Sequence, residues 1–296
     1  MVIDISKEGS VSNLEKITDN YSNNGHSFLF SRMYTQQGKD VYPMFEYKLR
    51  TAEIKDKNGN IKFRQENVEV PKNWSDTATK IVASRYFKRK NVKEEYGGNA
   101  EGSEQSAKRL IHRVSHTLRS YGEERKYFNS KEEADTFEDE LAYILLSQKT
   151  AFNSPVWFNL GLYHDYGIVE KTEDGLYYWD SETDTIKQSK DSYSHPQVSA
   201  CFINSVGDYM FGDGGPDDHS IFKLVLAEAK LFKYGSGNGT NFSDVRAADE
   251  PLSGGGKSSG LMSFLKILDS GANAIKSGGK TRRAAKMVIL NVDHPD

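Results

Sequence analysis

Polar and apolar positions along the chain fall into two textures that change near residue 150. Before that point they follow hairpin and helical periods. Phe45, Tyr47 and Leu49 alternate with polar residues, and Asp56-Lys57-Asn58-Gly59 is a strong turn signal, so residues 43–72 predict a β-hairpin. Ser75 and Asp76 can cap a helix running to about Phe87, with Ala78, Ile81, Val82 and Tyr86 on one face. Asn91 to Gly102 reads as a polar loop. Residues 105–121 carry Leu110, Ile111, Val114 and Leu118 at the helical period. Residues 131–147 do the same with Ala134, Phe137, Leu141, Ile144 and Leu145, under an acidic outer face. All three helices are expected to face a core.

Beyond residue 150, short apolar runs alternate with glycine-rich segments. Ala151 to Gly161 is apolar and aromatic with Asn and Ser embedded, polar groups that need backbone or ligand partners. Residues 163–195 form a charged insertion that predicts a hairpin, Leu176 to Trp179 against Thr185 to Lys187. Val198 to Val206 is short, partly β-branched and flanked by breakers, which predicts a buried strand. Residues 217–232 predict a helix with Asp217 and Asp218 at its positive end and a stripe of Ile221, Leu224, Val225, Ala229 and Phe232. Another helix is expected over 260–275 and a buried strand over 286–293. Residues 1–40 are expected to form a polar arm, 41–148 a mostly helical region, and 149–296 a separate α/β part.

Composition narrows the classes. Hydrophobic residues make up 36% and charged residues 27% of 296, enough for a real core in a globular chain. A net charge of −3 argues against a general nucleic-acid or membrane binder, and one cysteine excludes an internal disulfide and any Cys-rich zinc site. The N-terminus shows no signal-peptide pattern and no apolar stretch reaches membrane length, so a cytoplasmic protein is expected.

That one cysteine, Cys201, sits inside the run Val198 to Val206. As a small core hydrophobe it would be inert, and a buried apolar site would raise its pKa and slow alkylation. Glycine-rich segments follow at Gly212 to Gly215, Gly235 to Gly239, Gly254 to Gly256 and Gly278 to Gly279, where backbone can approach a ligand closely. Ala274 to Thr281 matches a relaxed phosphate-loop pattern, but the order is helix, loop, strand rather than strand, loop, helix, which argues against a phosphate-loop NTPase. Lys276, Lys280, Arg282 and Arg283 surround two glycines there. Such a loop is either a solvated basic surface or an anion cradle.

Five motifs in order resemble the large subunit of ribonucleotide reductase, and most nearly its adenosylcobalamin-dependent class II. They are Phe152-Asn-Ser-Pro-Val-Trp-Phe-Asn159, Ser199-Ala-Cys-Phe-Ile203, Phe232-Lys-Tyr-Gly-Ser-Gly-Asn-Gly-Thr-Asn241, Leu252-Ser-Gly-Gly-Gly-Lys257 and Ile275 to Val288. The resemblance covers roughly residues 40–296. It implies a helical N-terminal region followed by the first part of a ten-stranded α/β barrel, left incomplete here. It implies reduction of a ribonucleotide through a thiyl radical that removes the ribose 3′-hydrogen, with a cysteine pair as two-electron donor. Cys201 matches one member of that pair. Ser154, Ser199, Ala200 and Gly237 match substrate-proximal positions.

By the same resemblance, Asp208, Met210, Arg246 and Ser253 bind a deoxynucleoside triphosphate effector. Gly278, Gly279, Lys280, Thr281, Arg282 and Arg283 relay its identity to the substrate base. The helix at 217–232 lies at a homodimer interface, and a thioredoxin-type protein is the implied reductant. Tyr209 departs from the family, which often has Ser there. The second cysteine of the pair, the radical cysteine and most of the barrel are expected downstream, in a C-terminal part, so this polypeptide alone is expected to be inactive. The competing expectation is a non-catalytic module that binds effector and dimerises.

Overall fold

The computed structural model describes residues 30–171, 176–215, 217–275 and 284–296. The arm expected over residues 1–40 therefore lies mostly outside the described residues.

The first unit begins with an antiparallel hairpin, β1 (Tyr47–Lys55) and β2 (Ile61–Pro71), as the alternation predicts. The Asp56 carboxylate closes the turn by accepting from the backbone N–H of Asn58 and of Asn60, both at 2.9 Å. Leu49, expected on the inner face, is 64% exposed instead. Ala52, on the opposite face of the strand beside a register irregularity after Arg50, takes the core position. Helix α1 (Asp76–Ile81) starts where Ser75 Oγ accepts from the Ala78 N–H at 3.1 Å. It widens into one π-turn, Val82–Tyr86, which buries Val82 and Ala83 and leaves Ile81 exposed.

Helices α2 (Ala107–Glu124) and α3 (Lys131–Leu146) follow with Ser106 and Ser130 as N-caps. Their apolar faces join Val68, Val70, Trp74 and Val82 in one cluster. The short helix α4 (Ser154–Asn159) adds Val156, Trp157 and Leu160 to that cluster. Arg113, fully buried on α2, explains how α4 is held. Its guanidinium pairs with Glu104 at 2.8 Å and donates to the carbonyls of Trp157 and Leu160 at the end of α4. Tyr166 also donates to Glu104 at 2.8 Å, so a charge pair that burial would make costly is hydrogen-bonded on several sides.

The expected hairpin in the charged insertion is present as β3 (Tyr177–Asp180) and β4 (Thr185–Gln188). After it, β5 (Cys201–Asn204) begins a parallel sheet. Helix α5 (Ile221–Lys233) crosses to β6 (Gly237–Asn241), and the hairpin β7 (Ala248–Pro251) and β8 (Lys257–Ser259) leads to α6 (Leu261–Ala274) and then β9 (Lys286–Ile289). The strands pair in the order β5-β6-β9, both pairings parallel. These are two successive β-α-β crossovers, and among the described residues the sheet does not close into a barrel. A second cluster, Val206, Ile221, Leu224, Phe242, Val245, Leu261 and Leu268, packs α5 and α6 together.

Two expectations change here. The runs around Cys201 and Met287 were expected to be buried strands, yet β5 and β9 are short and largely exposed. Among the described residues, each has β6 as its single sheet neighbour. The segment read as a glycine loop, residues 235–239, contributes Gly237 to Gly239 to the central strand β6, whose first four residues are buried between β5 and β9. Among the described residues, no helix is long and apolar enough to cross a membrane.

Candidate functional site at the Cys201 strand

Cys201 and Gly237 face one another in register across β5 and β6. The Gly237 N–H donates to the Ala200 carbonyl at 2.6 Å, which fixes the backbone just before the thiol. Ser199 is tied on both sides of its peptide. Its carbonyl accepts from Ser236 Oγ at 2.9 Å and from Gln197 Nε2 at 2.8 Å, and its N–H donates to Gln197 Oε1. A side chain at Gly237 would place its Cβ 3.6 Å from Cys201 Sγ and 3.2 Å from the Ala285 carbonyl. Glycine there leaves the ground beside the sulfur open. The thiol is exposed, not buried as the apolar run suggested.

Two capping features place these residues. Gly235, at φ +87°, follows the last turn of α5 in the left-handed region that glycine accepts most readily. Its N–H donates to the Phe232 carbonyl at 3.1 Å and the Ser236 N–H to Leu231 at 3.0 Å, ending the helix and turning the chain into β6. On the other side, Asn159 Nδ2 donates to the Gln197 carbonyl at 2.7 Å, which docks α4 against the segment leading to Cys201. Ser154, at the start of α4, shares a 3.3 Å hydrogen bond with the Tyr86 hydroxyl, so the expected substrate-proximal serine is engaged within the first unit.

Beneath the sheet lies a polar network that sequence reading missed. Glu228 on α5 is 2% exposed. Its carboxylate accepts from Asn238 Nδ2 at 2.8 Å and from Lys286 Nζ at 3.0 Å. Asn238 also donates to Thr240 Oγ1 at 2.9 Å and accepts from Asn204 Nδ2. One carboxylate thus ties α5 to β6 and β9, and through Asn238 to β5. Burial pulls the Lys286 pKa below its ordinary value, against the opposing pull of Glu228. The available signals were an acidic residue amid the apolar residues of α5 and a lysine opening the apolar run of β9.

The residues expected to hold an effector are only partly assembled. Asp208 and Arg246 meet each other. Arg246 Nε donates to Asp208 Oδ2 at 2.5 Å, and the Arg246 backbone N–H to Oδ1 at 3.1 Å. Arg246 Nη1 also reaches the Pro251 carbonyl at 2.9 Å, linking the stretch after β5 to the β7–β8 hairpin. The two charges expected to contact separate parts of a nucleotide therefore neutralise one another in this structure. Met210 is 47% exposed, and Ser253 lies in the exposed turn between β7 and β8. Tyr209 accepts from the His219 N–H at 2.7 Å, a structural role for the family departure. The expected relay, Gly278 to Arg283, lies outside the described residues. Helix α6 before it and β9 after it keep the helix-loop-strand order that disfavours a phosphate loop.

Comparison with known proteins identifies the family. Residues 48–148 match the family described as class II vitamin B12-dependent ribonucleotide reductase, and residues 199–296 match the ribonucleotide reductase barrel domain. The chain belongs to the class II ribonucleotide reductases. It is 43% identical over 291 residues to the vitamin B12-dependent ribonucleotide reductase of Agrobacterium fabrum, a match covering 90% of this chain and 22% of that protein. The corresponding enzyme of Rhodopirellula baltica is 42% identical over 268 residues, covering 90% and 24%. That of Streptomyces coelicolor is 40% identical over 276 residues, covering 92% and 24%. The chain thus spans about a quarter of the length of these reductases and corresponds to their N-terminal part. The parallel β5-β6-β9 sheet falls within the barrel-domain match.

Proposed function

We propose that this chain supplies the N-terminal portion of an adenosylcobalamin-dependent ribonucleotide reductase, with Cys201 as one of two reducing thiols. The observation that carries the reading is the exposed Cys201 thiol beside Gly237, on a backbone tied at Ser199 and Ala200. For each turnover, two thiols become one disulfide. The ribose 2′-carbon gains a hydrogen in place of its hydroxyl, which leaves as water. Cys201 provides one thiol, and the second comes from the C-terminal part of the reductase. Ser154, Ser199, Ala200 and Gly237 border the sugar, and a thioredoxin-type protein restores the dithiol.

Adenosylcobalamin supplies the initiating radical when bound. The groups gathered around Cys201 are one thiol, hydroxyls, carboxamides and backbone amides. That set does not fit a corrin-binding site, and the contacts to the cofactor are assigned largely to the C-terminal part of the reductase.

The second role proposed is effector binding, with Asp208, Met210, Arg246 and Ser253 around a deoxynucleoside triphosphate and Gly278, Gly279, Lys280, Thr281, Arg282 and Arg283 as the relay. Dimerisation through α5 and a cytoplasmic location belong to the same reading. So do completion of a ten-stranded barrel and a division into 1–40, 41–148 and 149–296. Limited proteolysis tests the division, with cleavage expected near residue 148 rather than within α2 or α5.

The deciding experiment supplies ribonucleotide, adenosylcobalamin and dithiothreitol to the chain together with the C-terminal part of the reductase. Cobalamin-dependent deoxynucleotide formation is expected, and Cys201→Ser should end multiple turnover while nucleotide binding persists. Undiminished turnover by Cys201→Ser would reduce Cys201 to a strand residue.

A further inference from the structure

Away from the Cys201 strand, three imidazoles gather around one carboxylate on the outer side of the first unit. His112 and His116 lie four residues apart on α2, so both project from one helical face, and their rings stack 5.3 Å apart. Asp165 comes from the turn after α4. That turn is held against α2 by Gly161, at φ +79°, where a Cβ would stand 2.5 Å from the Arg113 carbonyl. Only a residue without a side chain lets the turn sit so close. As a result Asp165 Oδ1 lies 3.0 Å from His116 Nδ1 and 3.0 Å from His164 Nδ1.

The donor atoms of His112, His116 and Asp165 fall within 4.8 Å of one another. We propose that they form a binding site for a divalent first-row transition cation of the zinc type. Neutral imidazole nitrogen with carboxylate oxygen is the donor set such ions prefer over magnesium or calcium. Asp165 is 8% exposed and held in place, whereas the His112 and His116 side chains are each 37% exposed. The rings can tilt, and the cation has a way in. Ligand atoms around tetrahedral zinc at about 2.0–2.1 Å stand roughly 3.3 Å apart, so closing the cluster requires a shift of about 1.5 Å at most.

The surroundings suit this role. The Tyr42 hydroxyl lies 3.2 Å from His112 Nδ1 and Glu138 Oε1 lies 3.8 Å from it, which leaves Nε2 for the metal. A second group holding the far nitrogen of a ligating histidine fixes the ring and raises its basicity. A water completes the fourth position. The bound ion would clamp the 161–166 turn to α2 and steady α4 behind it.

Cobalt(II) is the probe for the purified, folded chain, because its visible absorption reports four-coordinate nitrogen and oxygen ligation. One cobalt per chain is expected, displaced by zinc, and zinc should raise the melting temperature. His112→Ala with His116→Ala should weaken cobalt binding at least tenfold and remove the thermal shift. Asp165→Asn keeps the shape of the side chain and should weaken binding in the same direction, which covers the case where the double variant fails to fold. His195→Ala, His219→Ala and His294→Ala should bind as the unaltered chain does. Folded chain that takes up no cobalt at millimolar concentration overturns the site. Binding that survives the double variant, or that disappears with the three control substitutions, overturns it as well. In each case the cluster would be a hydrogen-bonded histidine–aspartate group and nothing more.

Discussion

Arg246, expected from the sequence to hold the phosphates of an effector, has Asp208 as its partner in the fold. Its pair with Asp208 joins side chains that are 30% and 28% exposed. Pairs so open to water contribute about 0–1 kcal/mol, whereas a charge-assisted contact to a bound phosphate is worth about 1.5–3 kcal/mol. A triphosphate can therefore draw Arg246 away from Asp208 at small cost. Arg246→Ala is expected to weaken deoxynucleoside triphosphate binding by roughly tenfold or more, while Asp208→Asn leaves phosphate affinity unchanged or tighter. Calorimetry on the two variants checks this, and equal losses in both would show that the ion pair itself builds the site. Cys201 offers a second test at this scale. Exposure replaces the slow alkylation expected of a core thiol with ready reaction, at about the rate of an unstructured thiol. A colorimetric disulfide exchange assay measures that rate, and tenfold protection in the folded chain would contradict the exposed strand.

Among the elements, the contact between α5 and the sheet depends on Glu228. Lys286 is 13% exposed at its side chain and Glu228 2%, so each is the other's main compensation for burial. Removing one member of such a pair costs about 3–5 kcal/mol because the remaining charge stays buried. Glu228→Ala is expected to lose about that much in denaturant unfolding and to loosen β6 and β9 together. Lys286 also sets a pH dependence. In the unfolded chain it keeps its proton up to its ordinary value of 10.5, and in the fold it releases the proton at lower pH. Between those values the unfolded chain binds more protons, so stability rises with pH across that window. The full cost of burying the ammonium is present below the folded value. Unfolding curves for the unaltered chain should show this rise and Lys286→Met should not. A fall in stability over the same window, attributable to Lys286, would reverse the assignment.

At the scale of the molecule, the two larger of three apolar clusters among the described residues share no residue. One gathers the β1–β2 hairpin with α1 to α4, and the other gathers α5, α6 and the region around β6. Ile111 at 2% exposure and Leu224 at 3% are core members of each. Truncating either to alanine should cost about 2–5 kcal/mol. Hydrogen exchange is expected to show the loss confined to the cluster that carries the substitution. Uniform loss across both for either variant would mean that the two clusters unfold as one cooperative unit.

Helices α2, α3, α5 and α6, the β1–β2 and β3–β4 hairpins and the family motifs were legible because each is a local matter. A cap, a turn residue or a helical period acts within a few residues of sequence, as at Ser106, Asp56 and the Leu110 to Val114 stripe. Burial of the strands was not legible, because it depends on which strand lies in the middle. Gly237 to Asn241 looks like a loop until β5 and β9 flank it, and the apolar runs around Cys201 and Met287 look buried until they prove to be edges among the described residues. Partners far apart in sequence were hidden for the same reason. Asp208 with Arg246, Glu228 with Lys286, and His116 with Asp165 are separated by 38, 58 and 49 positions. The residue types were visible in the chain, but only folding decides which charges meet, since backbone crossovers set those distances and no local propensity encodes them.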